Sequence, residues 1–331
     1  MTVAIVTPVF EDQESFAELC KRLAEAERAS GVKFHIIAVD DGSLSAPPQL
    51  SALHAAGVSG EILRLARNVG HQMAIAVGLA HAYALADITA CIVMDSDGED
   101  TPQSIPGLLQ AVRREGVDVA VAQRAKRSET LTFQAFYAVY KRLFKLATGQ
   151  VLRFGNFMAL TPRALERMSG MYETSTHVAA AVVKARLRRA DVPTDRGTRY
   201  AGQSRMNFPS LVLHGMRAVM VFSDLVLTRM ALALVAMAAT VVLVVIAALE
   251  AKLLGATTPG WVTLVTGFAL TLFVQTGLFT MITLIVSSLG RVDTPPRVRG
   301  RALEYVSEIE RTETSGAALG FTVAAVRRPA E

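Results

Sequence analysis

The stretch Ala90-Cys91-Ile92-Val93-Met94-Asp95-Ser96-Asp97-Gly98-Glu99-Asp100 decides the fold. It opens as a short apolar run of strand length and breaks into an acidic turn. Working outward, an Ala-rich helix is expected over His71–Leu85 and a strand over Glu61–Leu65. Before these, Phe34–Val39 reads as a strand ending at the turn Asp40-Asp41-Gly42-Ser43. Ser15–Ala29 has helical spacing, with Phe16, Leu19, Leu23 and Ala26 on one face, and Val3–Val6 is a strand. On the other side, a helix over Ser104–Arg114 leads to a fifth strand over Val117–Ala122. Strands that alternate with helices need crossover connections, which gives an α/β domain with a mainly parallel sheet. Ligands of such sheets sit beyond the carboxyl ends of the strands. Two of those ends carry acidic clusters, Asp40-Asp41 and Asp95-Asp97.

The net charge of +5 over 331 residues is weak and dispersed, with no aromatics interleaved among basic clusters, so nucleic acid is excluded as a partner. Anionic lipid or a phosphate-bearing substrate suits that balance better. Cys20 and Cys91 have no metal-like spacing, and each falls in a buried pattern, as in a reduced cytosolic domain. The chain starts directly on a strand, without a basic n-region, so no cleavable signal peptide is expected.

Charges nearly vanish from Leu211 to Leu289. Ala231–Leu249 is a run of 19 uncharged residues, the length that crosses a bilayer core. Trp261–Leu289 is also uncharged and long enough to cross with tilt. Arg217 and Arg229 precede the first run and Arg291, Arg297, Arg299 and Arg301 follow the second, while the loop between them has only Lys252 as a base. The positive-inside rule then puts both flanks in the cytoplasm. The expected organisation is a catalytic domain over 1–206 and amphipathic juxtamembrane helices over 207–229. Two transmembrane helices over 230–290 follow, then a cytoplasmic, partly disordered tail over 291–331.

Alternate residues leaving a strand can aim two carboxylates at one point. Asp95 and Asp97, with Glu99 and Asp100 nearby, are hard oxygen donors suited to Mg²⁺ or Mn²⁺ held jointly with a diphosphate. Such a cation neutralises charge on a leaving nucleotide diphosphate; a merely solvated acidic turn is the plain alternative. Asp40 can accept from a nucleobase N–H or a ribose hydroxyl, although Asp-Gly is also a favoured turn pair. Thr7-Pro8-Val9-Phe10 closes the first strand and forms either a wall against a base or a rigid loop.

These motifs together resemble glycosyltransferase family 2, in the branch of dolichol-phosphate mannose synthases and bacterial polyprenyl-phosphate glycosyltransferases. Thr7-Pro8-Val9-Phe10-Glu11-Asp12 is similar to the family's opening TPVYNE, Val39-Asp40-Asp41-Gly42-Ser43 to VDDGS, and Arg67-Asn68-Val69-Gly70-His71-Gln72 to RNFGHQ. Met94 to Pro102 resembles MDADLQDPP, and Arg199-Tyr200-Ala201-Gly202-Gln203-Ser204-Arg205 resembles R-x-A-G-x-S-K. The resemblance spans about residues 2–290 and implies a GT-A fold and an inverting transfer. It places Pro8, Phe10 and Asp12 around the nucleoside, with Asp40 and Asp41 on the donor. It puts Asp95 near the diphosphate, with Asp97 and Glu99 beside it on the metal. Arg124 and Arg127 would face phosphates, and Arg199, Ser204 and Arg205 the acceptor or donor phosphate. Arginine suits those places because its fork binds phosphate bidentately.

Departures from the family pattern are Glu99 where relatives have Gln, Arg205 for Lys, and Asn156 in the region where relatives often read GDFR. No general base is therefore assigned to position 156. A lipid phosphate acceptor needs none, being anionic already, whereas a hydroxyl acceptor would. The leading expectation is transfer of one sugar from a UDP- or GDP-linked donor to a polyprenyl (undecaprenyl) phosphate at the cytoplasmic membrane. Transfer to another lipid or glycan acceptor and a catalytically silent membrane adaptor are the alternatives, and homo-oligomerisation is left open. A processive synthase would carry a QxxRW segment, but the single tryptophan is Trp261 beside the membrane.

Overall fold

The computed structural model describes residues 2–124, 131–202, 208–255, 258–289, 295–315 and 318–325. The strands are β1 (Thr2–Val9), β2 (Lys33–Asp40), β3 (Ser59–Leu65), β4 (Ile88–Val93), β5 (Val119–Arg124), β6 (Met158–Leu160), β7 (Arg189–Thr194), β8 (Val306–Ser315) and β9 (Ala318–Ala325). Between them lie α1 (Gln13–Ser30), α2 (Leu50–Ala56), α3 (His71–Ala84), α4 (Ile105–Val112), α5 (Leu131–Thr148), α6 (Pro162–Ser169), α7 (Tyr172–Thr176) and α8 (Val178–Lys184). Four more helices precede the last two strands: α9 (Phe208–Met220), α10 (Ser223–Leu253), α11 (Trp261–Leu289) and α12 (Pro295–Glu304).

The strands form one sheet in the order β7-β5-β6-β4-β1-β2-β3-β8-β9. Pairs β1/β2, β1/β4, β2/β3 and β5/β7 are parallel; β6, β8 and β9 join antiparallel. The expected parallel core is thus present, and β6 and β7 extend it on one side. Successive residues of β1 serve opposite faces, as the two-residue period of a strand requires. Val3 and Ile5 pack with Phe16, Leu19 and Leu23 of α1. Ala4 and Val6 pack with Ala74, Ile75 and Leu79 of α3. Each large side chain fully buried here contributes on the order of 2 kcal/mol. Level packing of β1 on β2, with Val9 opposite Asp40, brings both carboxyl ends to one edge, and Met94 N–H bonded to Val6 O brings the end of β4 beside them.

The chain divides into two compact units. Met1–Leu131, Leu152–Val221 and Asp293–Glu331 form the first, Thr132–Val151 and Phe222–Val292 the second. In the second, α10 packs along α11. Arg229 donates to Leu146 O at 2.7 Å, and Phe222 meets Phe144 edge to face. Ser223–Leu253 and Trp261–Ile282 are long and apolar enough to cross a membrane, and almost none of either helix is buried within the chain. A core helix of a soluble protein would be covered by its own fold; these are not.

Two boundaries differ from expectation. Residues 223–229 are the first two turns of α10 and not a separate helix, and α9 (Phe208–Met220) precedes them. Among the described residues of the tail expected to be partly disordered, α12 leads into the β8/β9 hairpin, which continues the sheet from the free edge of β3 with Leu63 opposite Ile309. An unpaired β3 edge next to a buried carboxylate, Glu61, supplies the physical reason.

Candidate active site

The end of β2 is built around a glycine. Gly42 has φ +75°, and a Cβ there would lie 2.6 Å from the backbone of Arg67 and Asn68. Asp40 and Asp41 on its near side are buried and have different duties. Asp40 Oδ1 accepts from Ser43 N–H at 3.0 Å and Oδ2 from Arg64 Nη1 at 2.9 Å. A carboxylate has further acceptor capacity, so a base or ribose donor can still be received there. Asp41 is different. Its oxygens accept from Val69 N–H at 2.7 Å and Gly70 N–H at 3.0 Å. Burial raises its pKa, and those two amides oppose the rise. Through these two bonds Asp41 holds the loop that leads into α3.

At the end of β1, Pro8 is buried and Phe10 is 40% exposed, so the ring offers a face at the strand end. Asp12 caps α1 through Ser15 N–H, a local role that keeps its carboxylate at the helix start. Glu11, which sequence reasoning passed over, stitches the neighbouring loop: its carboxylate accepts from Leu44, Ser45 and Ala46 N–H between 2.6 and 3.1 Å.

The acidic turn after β4 is the centre of the site. Asp100, 2% exposed, accepts from Asp95 N–H at 3.0 Å and so braces the turn. Asp97 Oδ1 accepts from Glu99 N–H at 2.9 Å, and its Oδ2 accepts from Arg199 Nη2 at 2.6 Å. Arg196 Nη2 lies 2.6 Å from Glu99 Oε2, and Arg199 Nε lies 3.4 Å from Glu99 Oε1. Asp95 Oδ1 is 3.4 Å from His71 Nε2, which is 3.1 Å from Asn156 Nδ2. The structure therefore brings Asp95, Asp97, Glu99 and Arg199 together and adds Arg196, His71 and Asn156. Arg196 carried a weak sequence signal, as a base three residues before Arg199. Arg124 ends β5 opposite Thr194, while Arg127, Ser204 and Arg205 lie outside the described residues.

Asp95 and Asp97 fit a hard divalent cation in donor chemistry, because such ions use one or two carboxylates and take the rest of their shell from substrate phosphate and water. Glu99 stands two residues beyond Asp97 in the same turn. Its carboxylate faces the two arginines, and among the described residues no three carboxylate, imidazole or thiol groups converge on a point that could hold a metal.

The chain is 28% identical over 214 residues to the undecaprenyl-phosphate 4-deoxy-4-formamido-L-arabinose transferase of Klebsiella pneumoniae (strain 342), covering 63% of this chain and 64% of the relative. It is 27% identical, with the same coverage, to the protein of that name from Salmonella paratyphi B. The match thus spans just under two thirds of the length of these curated relatives. Among solved structures, glucosyl-3-phosphoglycerate synthase from Mycobacterium tuberculosis, in complex with Mn²⁺, uridine-diphosphate and phosphoglyceric acid, superposes with a TM-score of 0.50. That superposition has 15% identity and covers 68% of this chain and 78% of the other. At that identity the likeness speaks to fold alone, and it agrees with the GT-A arrangement of a mainly parallel sheet with acidic strand ends. The family model described as Glycosyl transferase family 2 matches residues 4–172, from β1 through the acidic turn to α7, and with just over half of its length so covered the chain belongs to glycosyl transferase family 2.

Proposed function

We propose that the protein transfers one sugar, with inversion, from a nucleotide sugar to a polyprenyl phosphate at the cytoplasmic face of a membrane. The observation that carries this reading is the acidic turn Asp95–Asp100 set among Arg196 and Arg199 at the carboxyl ends of parallel strands. That is a place for a diphosphate that must gain negative charge as it leaves. Two long apolar helices in the same chain, and relatives named for undecaprenyl phosphate, support the lipid acceptor.

In this reading Pro8, Phe10 and Asp12 border the nucleoside and Asp40 receives the base. Asp95 and Asp97 would hold Mg²⁺ or Mn²⁺, which would supply charge neutralisation at the diphosphate. Arg124, Arg127, Arg199, Ser204 and Arg205 address donor and acceptor phosphates. Asn156 abstracts no proton; it sits against His71. An acceptor phosphate oxygen already carries its charge and attacks the anomeric carbon once both partners are held in line. The catalytic domain of 1–206 and both termini lie in the cytoplasm, with residues 230–290 crossing the inner membrane twice.

The test is transfer of label from a panel of UDP- and GDP-sugars to undecaprenyl phosphate in purified membranes with Mg²⁺ or Mn²⁺. Label in the lipid fraction that disappears with Asp97→Ala supports the reading. Donor hydrolysis or binding without lipid label discards the polyprenyl phosphate acceptor and favours another lipid or glycan.

A further inference from the structure

Residues Arg196–Tyr200 are docked along the acidic turn. Gly197 N–H donates to Glu99 O at 3.0 Å and Tyr200 N–H to Asp97 O at 2.9 Å. The Tyr200 ring lies against Gly98, which has φ +91° and whose Cβ, if present, would fall 2.8 Å from that ring. Above this backbone zipper sit the two ion pairs, Arg196 with Glu99 and Arg199 with Asp97, each 2.6 Å. The Asp97 and Glu99 side chains are only 16% and 18% exposed. Two carboxylates so placed need a counter-charge, since burying an unpaired charge is costly. The arginines supply it. However, Arg199 takes Asp97 Oδ2, an oxygen that a cation would also need, and a guanidinium and a dication repel one another at such range.

We infer that Arg199 is an exchangeable counter-charge: it occupies Asp97 until a nucleotide diphosphate arrives, then passes to the phosphates and yields the carboxylate to the cation. Arg196 with Glu99 is the fixed pair that keeps the segment docked during the exchange. Cation and nucleotide diphosphate therefore bind as a unit, and each binds weakly alone. The inference rests on the donor reading above and adds how the donor is admitted. It also explains the acid at position 99: Glu99 anchors Arg196, where a neutral side chain would leave that arginine without its ion pair.

The experiment measures Mn²⁺ binding to the full chain in detergent, from the spectrum of free Mn²⁺, with and without UDP or GDP, and nucleotide binding by equilibrium dialysis. In the wild-type chain the nucleotide is expected to tighten Mn²⁺ binding about 30-fold. In Arg199→Met, Mn²⁺ alone should bind about 10-fold tighter, nucleotide alone more weakly, and the coupling should fall below about 5-fold. Opposite signs for the two ligands separate exchange from damage to the fold, which would weaken both. Arg196→Met should weaken nucleotide and Mn²⁺ together. Wild-type coupling retained in Arg199→Met would overturn the exchange while leaving the donor reading intact. Failure of the wild-type chain to bind either nucleotide with Mn²⁺ would overturn the donor reading and the exchange with it.

Discussion

Arg64 Nη1 lies 2.9 Å from Asp40 Oδ2, while the Nε of the same guanidinium faces Glu310 of β8. One side chain thus ties the end of β2, where the donor base is proposed to bind, to a strand that follows the two membrane-length helices. Asp40 has a side chain 4% exposed and depends on this partner. Arg64→Ala is expected to lower stability by about 2 kcal/mol, the cost of a lost charged hydrogen bond on a buried acid. It should also weaken nucleotide binding about 10-fold, or about 1.4 kcal/mol, as Asp40 loses its orientation. Thermal melting and nucleotide dialysis check both. Adding Asp40→Asn should restore part of the stability and none of the binding.

His177 caps α8, its Nδ1 accepting from Ala180 N–H at 3.2 Å, and its ring stacks 4.3 Å from that of His214 on α9. Burial, and then the neighbouring His214, push its pKa from 6.5 down to about 3. The folded chain keeps the ring neutral where the unfolded chain protonates it. Its contribution is therefore complete above pH 6.5 and is lost as pH falls toward 3. His177→Asn retains a capping acceptor without a titrating ring. It should flatten the fall in stability below neutral pH, where the wild-type ring alone contributes up to about 1.4 kcal/mol per pH unit. Parallel melts of the two proteins between neutrality and mild acid measure the difference.

Cys20 and Cys91 are free and fully buried in the first unit. Burial pushes the Cys20 thiol up to about 12, and Cys91 higher still. Thiolate is the reactive form, so neither should react with iodoacetamide at neutral pH while the fold holds. Both should react once the chain is unfolded in guanidinium. Mass spectrometry of the labelled chain reads this directly, and modification of either cysteine in the native chain would contradict the packing described.

The strands and helices around the acidic turn were legible because their signals are local. Five apolar runs, each closed by a turn, announce themselves in windows of ten residues. The strand β6, only Met158–Leu160, is too short for any such pattern. The hairpin β8/β9 was hidden for a different reason. Leu303, Val306 and Ile309 recur every three residues and so imitate a helix face, yet α12 stops at Glu304. The partners that hold β8, such as Arg64 with Glu310 and Glu61 with Arg311, lie some 250 residues away in sequence. In the candidate site, motif order singles out Asp95, Asp97 and Arg199, and the fold places Arg199 against Asp97. That Asp41 braces a loop and that Glu99 answers Arg196 depends on which way side chains turn, which no spacing records.

Glu61 shows how the hairpin is held. The carboxylate is 1% exposed and touches three cationic or polar groups: His81 Nε2 at 2.7 Å, His35 Nε2 at 3.3 Å and Arg311 Nε at 2.7 Å. Burial pushes its pKa up, but the His35 and His81 contacts and Arg311 outweigh it and hold the carboxyl well below the usual range near 4.5. Its contribution is therefore full above that range and is lost as pH falls below it. The partners are unequal. Arg311 is half exposed, so water replaces it readily, whereas His81 is nearly as buried as Glu61 itself. Arg311→Ala is expected to cost less than about 1 kcal/mol, felt mainly as faster amide exchange in β8. Glu61→Gln strips the charge from the buried centre and should cost about 3 kcal/mol, with exchange rising in β3 and β8 together. Hydrogen exchange on the two variants separates these outcomes. If Arg311→Ala were as damaging as Glu61→Gln, the exposed arginine, and not the buried carboxylate with His81, would be what fastens the hairpin to the sheet.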